Sequence, residues 1–189
     1  MLVELERTKP EDQKRLDAIE AELIEIDSLV GQLLAQSKLD FSALDRRQLN
    51  AADLANAALE RAGLHSNILN VKGDRIFVDG DPSLIARALA NLIDNAQRHG
   101  NGLNELTVYC KDNCVSFVAL DRGVGIASEV LPRLFVPFER RGDNAGLGLG
   151  LALVERIARA HGGRAFAEAR QGGGAAVGFR IPIGLAVSA

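Results

Sequence analysis

Three short stretches of this chain combine residue types that can hold a polyanion or a flat polar ring. In the first, Asn91, Asn95, Arg98 and His99 recur at i, i+4, i+7 and i+8, so a helix places them along one flank. Amide carbonyl oxygens can coordinate a hard cation, and a guanidinium can meet phosphate. In the second, Asp121-Arg122-Gly123-Val124-Gly125-Ile126 sets a carboxylate ahead of two glycines. Such a carboxylate can accept a hydrogen bond from an exocyclic amine like that of adenine, while the glycines let the backbone turn and approach a ring closely. In the third, Gly146-Leu147-Gly148-Leu149-Gly150-Leu151 opens a helix with alternating glycines. Free N–H groups at the positive end of a helix make a natural phosphate seat. Two of these stretches also have ordinary readings, as a solvated helix flank and as an Asx-capped surface turn.

The glycine run fits neither of the common phosphate loops. It lacks the Lys-Ser/Thr pair that a Walker A loop needs after its last glycine. Its third glycine falls two residues after the second, where a dinucleotide fingerprint needs three, and no βαβ unit precedes it. Protein-kinase signatures such as His-Arg-Asp are also missing from the sequence.

The elements that must carry these stretches are legible from capping residues and periodicity. Asp81-Pro82 opens a helix as N-cap and first-turn proline, and Gly100 closes it. Ile85, Leu89, Leu92, Ile93 and Ala96 form its apolar stripe, beside the amide row. Strands are expected at 48–50, 68–71 and 75–79, the latter two around a Lys72-Gly73-Asp74 turn, with an alanine-rich helix over 51–62 whose Leu54, Ala58 and Leu59 face inward. Residues 105–110 and 114–120 read as a hairpin that ends at Asp121, with Cys110 and Cys114 facing each other across it as reduced thiols. Leu134-Phe135-Val136-Pro137-Phe138 reads as a small apolar cluster under a loop, followed by a polar connection. A helix over 148–160 carries Leu151, Val154, Ile157 and Ala158 on one side, and a second hairpin, 164–168 with 176–181, turns at Gly172–174. His65 and His161 read as surface or capping residues. Helices and mostly antiparallel strands thus share one α+β domain.

Ahead of that domain, Leu16, Ile19, Leu23, Ile26, Val30, Leu33 and Ser37 recur at alternating spacings of three and four. This a/d seam predicts a coiled-coil-like helix of about 25 residues, roughly 37 Å long, suited to a dimerising hairpin or bundle. Residues 38–46 read as a linker. One Tyr and no Trp leave no stacking platform for single-stranded nucleic acid, and a net charge of −3 gives no general attraction to DNA or RNA. No apolar run approaches the roughly 18 residues of a membrane span, so neither nucleic acid nor direct membrane contact is expected for this stretch of protein.

Four motifs stand in order: Asn91-x-x-x-Asn95 on a helix, the Asp121 turn, Phe135-x-Pro137-Phe138, and the glycine run from Gly146. As an ordered set they resemble the N, G1, F and G2 boxes of sensor histidine kinases, within the wider Bergerat-fold (GHKL) ATPases and kinases. The resemblance covers about residues 45–183, and the heptad segment is similar to the second dimerisation helix of the same kinases. It implies a two-layer α/β sandwich with a mixed, mostly antiparallel sheet and helices on one face. Residues 1–40 would be part of a dimerisation hairpin and 41–189 an ATP-binding catalytic domain.

Carried over, the resemblance gives Asn95 the Mg²⁺ that bridges the ATP phosphates, with Asn91 assisting. Arg98 and His99 would face phosphate or ribose. Asp121 would read the adenine amine above Gly123, Gly125 and Ile126, and Arg140 would reach the terminal phosphate. Phe138, Gly146, Leu147, Gly148, Leu149 and Gly150 would line or anchor the lid over the nucleotide. The implied reaction is transfer of the γ-phosphoryl group to a histidine, for relay to a response-regulator receiver domain, in a homodimeric, membrane-anchored sensor whose cytoplasmic part this is. Two departures stand out. Leu147 replaces the usual Thr or Ser of the lid. None of His65, His99 and His161 sits in a phosphoacceptor motif, which places the expected acceptor on a His-bearing dimerisation helix upstream of Met1. Asn91 stands where hydrolysing relatives carry a water-activating Glu, and an amide cannot take a proton, which favours phosphoryl transfer over hydrolysis. A nucleotide-binding regulatory module without catalysis and an ATPase of the same fold are the alternatives.

Overall fold

The computed structural model describes residues 44–138 and 148–183. The heptad segment, most of the linker, Arg140, Gly146 and Leu147 therefore lie outside the described residues. In chain order the elements are β1 (Arg47–Asn50), α1 (Ala51–Arg61), β2 (Leu69–Lys72), β3 (Phe77–Gly80), α2 (Pro82–His99), β4 (Leu103–Lys111), β5 (Cys114–Asp121), α3 (Gly150–Ala160), β6 (Arg164–Ala169) and β7 (Ala175–Pro182). Short 3₁₀ turns occupy Ser66–Ile68 and Leu131–Arg133.

Five strands form one sheet in the order β2-β4-β5-β7-β6. Only the β2–β4 pair is parallel, and the other neighbours run antiparallel. Strands β1 and β3 make a separate antiparallel ribbon. The strands expected on either side of Lys72-Gly73-Asp74 therefore do not pair with each other: β2 joins the main sheet, and β3 starts two residues late, at Phe77. The chain between them is broken by Arg75 at φ +52°, a conformation that removes it from a strand.

The main sheet is two-sided. Leu106, Val108, Val115, Phe117, Phe179 and Ile181 alternate along their strands and are fully buried under the helices. Phe117 and Phe179, directly paired across β5 and β7, stack with ring centroids 5.1 Å apart. The predicted stripe of α2 is buried in full, joined by Leu84 and Ala88. Two inward sets shift by a residue or more. In α1 the buried side chains are Ala51, Ala55, Ala58 and Leu59, with Leu54 only half-buried. In α3 Ala152 and Leu153 are buried and Leu151 is half-buried. Both helices are rich in alanine and leucine, so their apolar residues surround the axis and periodicity alone leaves the rotation loose.

The β4–β5 turn corrects the reading of the cysteines. Asp112 and Asn113 both have positive φ, +51° and +57°, as a two-residue type I′ turn requires. That turn pairs Lys111 with Cys114 and Cys110 with Val115. A period of two then sends the two free thiols to opposite faces of the sheet.

Candidate functional site

Helix α2 is the wall on which the candidate residues meet. Its start is fixed by Asp81, whose Oδ1 accepts the N–H groups of Ser83 (3.0 Å) and Leu84 (3.2 Å). Its end is fixed by Gly100, whose N–H donates to the carbonyl of Ala96 at 2.8 Å. Between these ends Asn91 and Asn95 lie half-buried at the edge of the core, while Arg98 and His99 are exposed.

At one end of this row stands the start of α3. The Asn91 Nδ2 donates to the carbonyl of Arg87 one turn back, at 2.9 Å. Oδ1 is thereby turned outward, and a Cβ on Gly150 would lie 2.8 Å from it. Gly150 is thus the residue that lets α3 begin directly against the Asn91 carbonyl. Unlike α1 and α2, which are capped by Asn50 and Asp81, α3 has no side-chain cap among the described residues and no acidic residue in its first turn. Among the described residues no side chain takes its leading N–H groups, which an anion could use.

At the other end stands the Asp121 turn. Gly100 is more than a helix stop: a Cβ there would fall 2.4 Å from Asp121 Cβ, and one on Gly123 would fall 2.9 Å from the carbonyl oxygen of His99. The two glycines let the last turn of α2 and the D-x-G-x-G turn lie in backbone contact. Asp121, 5 % exposed, accepts the N–H of Gly123 at 2.9 Å, the expected Asx turn, and also that of Ala175 at 3.0 Å, both on Oδ1. No hydrogen bond reaches Oδ2 among the described residues. Nine residues of helix, about 13 Å of axis, separate Gly100 from Asn91. A carboxylate oxygen thus stands near one end of this stretch of α2 and an amide carbonyl beside the α3 start near the other.

The remaining candidates divide. Gly125 (φ +81°) and Ile126 continue the Asp121 turn, with Gly125 packed on the carbonyl of Gly174. Asn95 makes no side-chain hydrogen bond with the described residues. Arg98 is engaged with Asp94 at 2.7 Å on the solvent side, both about half exposed, so a phosphate contact requires its guanidinium to leave that pair or share its other N–H groups. His99 is exposed, with its carbonyl under Gly123. Gly148 and Leu149 lead into α3. The apolar cluster expected at 134–138 is only partly one: Leu134 is buried, but Phe138 is 70 % exposed. Phe138 sits at φ +66° with its N–H bonded to the carbonyl of Gly148 at 3.2 Å, which joins the two ends of segment 139–147.

Several residues that shape the site escaped sequence reading. Ala175 acts through its backbone N–H and leaves no signal in its side chain. Arg170 donates from Nη1 to the main-chain oxygen of Asp121 at 2.6 Å, a contact 49 residues apart in sequence. His161, expected at the surface or as a cap, does end α3 but is only 3 % exposed. Its Nδ1 bonds the Ile157 carbonyl at 2.7 Å and its Nε2 accepts the Asp81 N–H at 3.0 Å. One imidazole so ties the end of α3 to the start of α2. Burial is the main cause that lowers its pKa, with Arg46 adding to it and the Ile157 carbonyl, Asp81 and Asp79 opposing.

Residues 80–185, more than half of the chain, match the family described as histidine kinase-, DNA gyrase B- and HSP90-like ATPases. The chain belongs to that family. Within it, the sensor protein CutS of Streptomyces coelicolor is 31 % identical over 167 residues, which are 82 % of this chain and 40 % of CutS. The ATP-binding domain of PrrB from Mycobacterium tuberculosis superposes with a TM-score of 0.59 at 27 % identity, covering 75 % of this chain and 99 % of that domain. The histidine kinase ThkA, solved in complex with response regulator protein TrrA, shares the fold at a TM-score of 0.71 and 23 % identity, over 94 % of this chain and 53 % of ThkA. The chain spans less than half the length of the first curated relatives it matches. In this fold the end of α2 at Gly100 meets the Asp121 turn, and Asn91 meets the α3 start.

Proposed function

We propose that residues 41–189 are the ATP-binding catalytic domain of a two-component sensor histidine kinase. They would transfer the γ-phosphoryl group of Mg-ATP to a histidine outside this chain, for relay to a receiver domain. The observation that carries this reading is the arrangement along α2: at one end Asp121 Oδ2, without a hydrogen bond among the described residues, and at the other Asn91 Oδ1 against the start of α3, which no described side chain caps.

The residues fit a metal that arrives with its nucleotide. Asn91 Oδ1 faces out, the Asn95 amide is unengaged with the described residues, and no group of three or more acidic, His or Cys side chains that could hold a metal occurs among the described residues. Two neutral amide oxygens suit Mg²⁺ completed by phosphates and water, which binds protein through one or two groups. When bound, the ion neutralises charge on the phosphate oxygens. Asp121 would accept the adenine amine on Oδ2, with the ring over Gly123 and Gly125. Arg98 and His99 would meet ribose or phosphate, and the N–H groups from Gly146 to Gly150 would hold the phosphates, with Arg140 at the terminal one.

The chemistry then needs little from a base. A neutral imidazole nitrogen attacks the γ-phosphorus, an N–P bond forms as the bond to the β–γ bridging oxygen breaks, ADP leaves, and the imidazole proton passes to solvent. Positioning and charge neutralisation carry such a transfer. Asn91 offers no proton acceptor to activate a water, which supports transfer over hydrolysis. Residues 1–40 would form the second helix of the dimerisation hairpin, in a protein whose sensor part is membrane-anchored and whose catalytic part is cytoplasmic. Among the described residues no helix is long and apolar enough to cross a membrane.

Mixing the chain with a His-bearing dimerisation helix and γ-labelled ATP tests the reading. Acid-labile, base-stable label on the helix is expected. Tight ATP binding without transfer would favour a regulatory module, and rapid phosphate release by the chain alone would overturn the role given to Asn91.

A further inference from the structure

The Asp121 carboxylate is held from outside its own turn. Strand β5 ends with Asp121, one residue beyond its last pairing with β7, Leu120 opposite Ala176. The ladder contact that would follow is replaced by side-chain contacts: Asp121 Oδ1 takes the N–H of Ala175, and Arg170 Nη1 takes the Asp121 main-chain oxygen at 2.6 Å. Arg170 also closes the β6–β7 turn through its backbone, with its N–H on the carbonyl of Gly174 at 3.1 Å. Gly172, Gly173 and Gly174 all have positive φ, and a Cβ on Gly174 would stand 2.1 Å from the Asp121 oxygen. The glycine turn therefore folds directly onto the end of β5, and Arg170 joins the two, its side chain on the Asp121 oxygen and its backbone N–H on Gly174.

We infer that Arg170 is a positioning residue for base recognition: it fixes the Asp121 backbone and carboxylate so that Oδ2 faces the purine 6-position. This rests on the proposed reading of Asp121 as the adenine-amine acceptor. With Oδ1 tied by two N–H groups, the direction of Oδ2 is set by the rotation of the Asp121 main chain. The Arg170 bond and the Gly174 contact set that rotation. Without the guanidinium the Asp121 oxygen loses its charged donor, the β6–β7 turn loses its tie to β5, and the carboxylate can swing. Such a swing costs a ligand that donates at the 6-position and leaves one that accepts there untouched.

The test compares ATP with inosine triphosphate, which carries an oxygen in place of the 6-amine, by titration calorimetry on the full chain. A hydrogen bond to a charged group is worth enough that Arg170→Met should weaken ATP about tenfold. Inosine triphosphate should change less than twofold, so the preference for ATP collapses. Arg170→Lys keeps a cationic donor in reach of the Asp121 oxygen and should restore most of that preference. Equal weakening of both nucleotides, or no change in either, would overturn the inference, because a merely structural role lowers the melting temperature without touching the ratio. If Arg170→Met does not fold, Arg170→Gln, too short to reach the Asp121 oxygen, is read by the same ratio. Asp121→Asn separates the two levels. An unchanged ratio in that variant refutes the adenine role of Asp121. A ratio that collapses there but persists in Arg170→Met refutes the role of Arg170 alone.

Discussion

Replacing His161 by Leu removes the link between the two helices that frame the site while keeping an apolar side chain of similar bulk. The Asp81 N–H then loses its acceptor in a buried position, whereas the Ile157 carbonyl retains the His161 backbone N–H at 3.2 Å. An orphaned buried donor costs about 1–3 kcal/mol, and the lost bond adds about 1. The slot is also tight, since Gly80 approaches the ring so closely that a Cβ there would lie 2.9 Å from Cδ2, and a branched side chain fits it less well than a flat one. The expected loss is about 2–4 kcal/mol, a drop in melting temperature of roughly 5–15 °C for a chain of this size. The ring also brings a pH dependence. Its folded pKa is lowered, chiefly by burial and further by Arg46, against the opposing influence of the Ile157 carbonyl, Asp81 and Asp79. Below about pH 6.5 the unfolded histidine binds a proton that the folded one refuses, so stability falls as the pH drops. Between pH 7.5 and 5.5 this single group removes up to about 1.4 kcal/mol. Urea unfolding of both proteins at the two pH values measures it, as the difference between their pH dependences. Equal stability of the two proteins at pH 7.5, or parallel losses on acidification, would refute the assignment of a neutral, doubly bonded His161.

Other outcomes follow from the same geometry. Asn95→Ala should abolish Mg²⁺-dependent ATP binding while the nucleotide-free melting temperature moves by no more than about 2 °C, because the amide makes no bond with the described residues; retained affinity in a titration would show the metal lies elsewhere. Gly150→Ala would place a Cβ 2.8 Å from Asn91 Oδ1. The Asn91 amide is the flexible partner and must swing away, giving up its bond to the Arg87 carbonyl at a cost of about 1 kcal/mol, so the variant should stay folded yet transfer phosphate at least tenfold more slowly. Full activity there would separate Asn91 from the reaction. Arg98→Ala breaks only an exposed pair with Asp94 and should cost about 0.5 kcal/mol or less in urea unfolding. A several-fold loss of ATP affinity is expected alongside it, and unchanged affinity would return Arg98 to the solvated flank.

The local elements were legible because their signals are local. Asp81-Pro82 and Gly100 bound α2 as read, since a cap side chain, a fixed proline φ and a terminal glycine act within one turn of backbone. Its buried stripe followed from the 3.6-residue period, and the hairpins from β-branched runs around turn residues. Where the pattern was ambiguous the reading slipped. Alanine-rich α1 buried Ala51 and Ala55 in place of Leu54, and the cysteine pair fell to opposite faces because one residue of register decides the face of every side chain in a strand.

The motifs named the family and the residues that could bind, because box order and residue type are properties of the chain. The sequence by itself determined the amide row on α2, the carboxylate ahead of two glycines, and the absence of a base at Asn91. Only the tertiary structure decided which atoms those residues present. The Arg87 carbonyl turns Asn91 Oδ1 toward α3, Ala175 occupies Asp121 Oδ1 and leaves Oδ2 without a partner among the described residues, Arg170 crosses 49 positions to hold the same residue, and His161, expected at the surface or as a cap, ends its helix buried in the joint between two helices. Each of these contacts is made by a backbone group or between residues distant in the chain. A backbone N–H or carbonyl is the same at every position, so it writes nothing in the sequence until folding brings it to its partner.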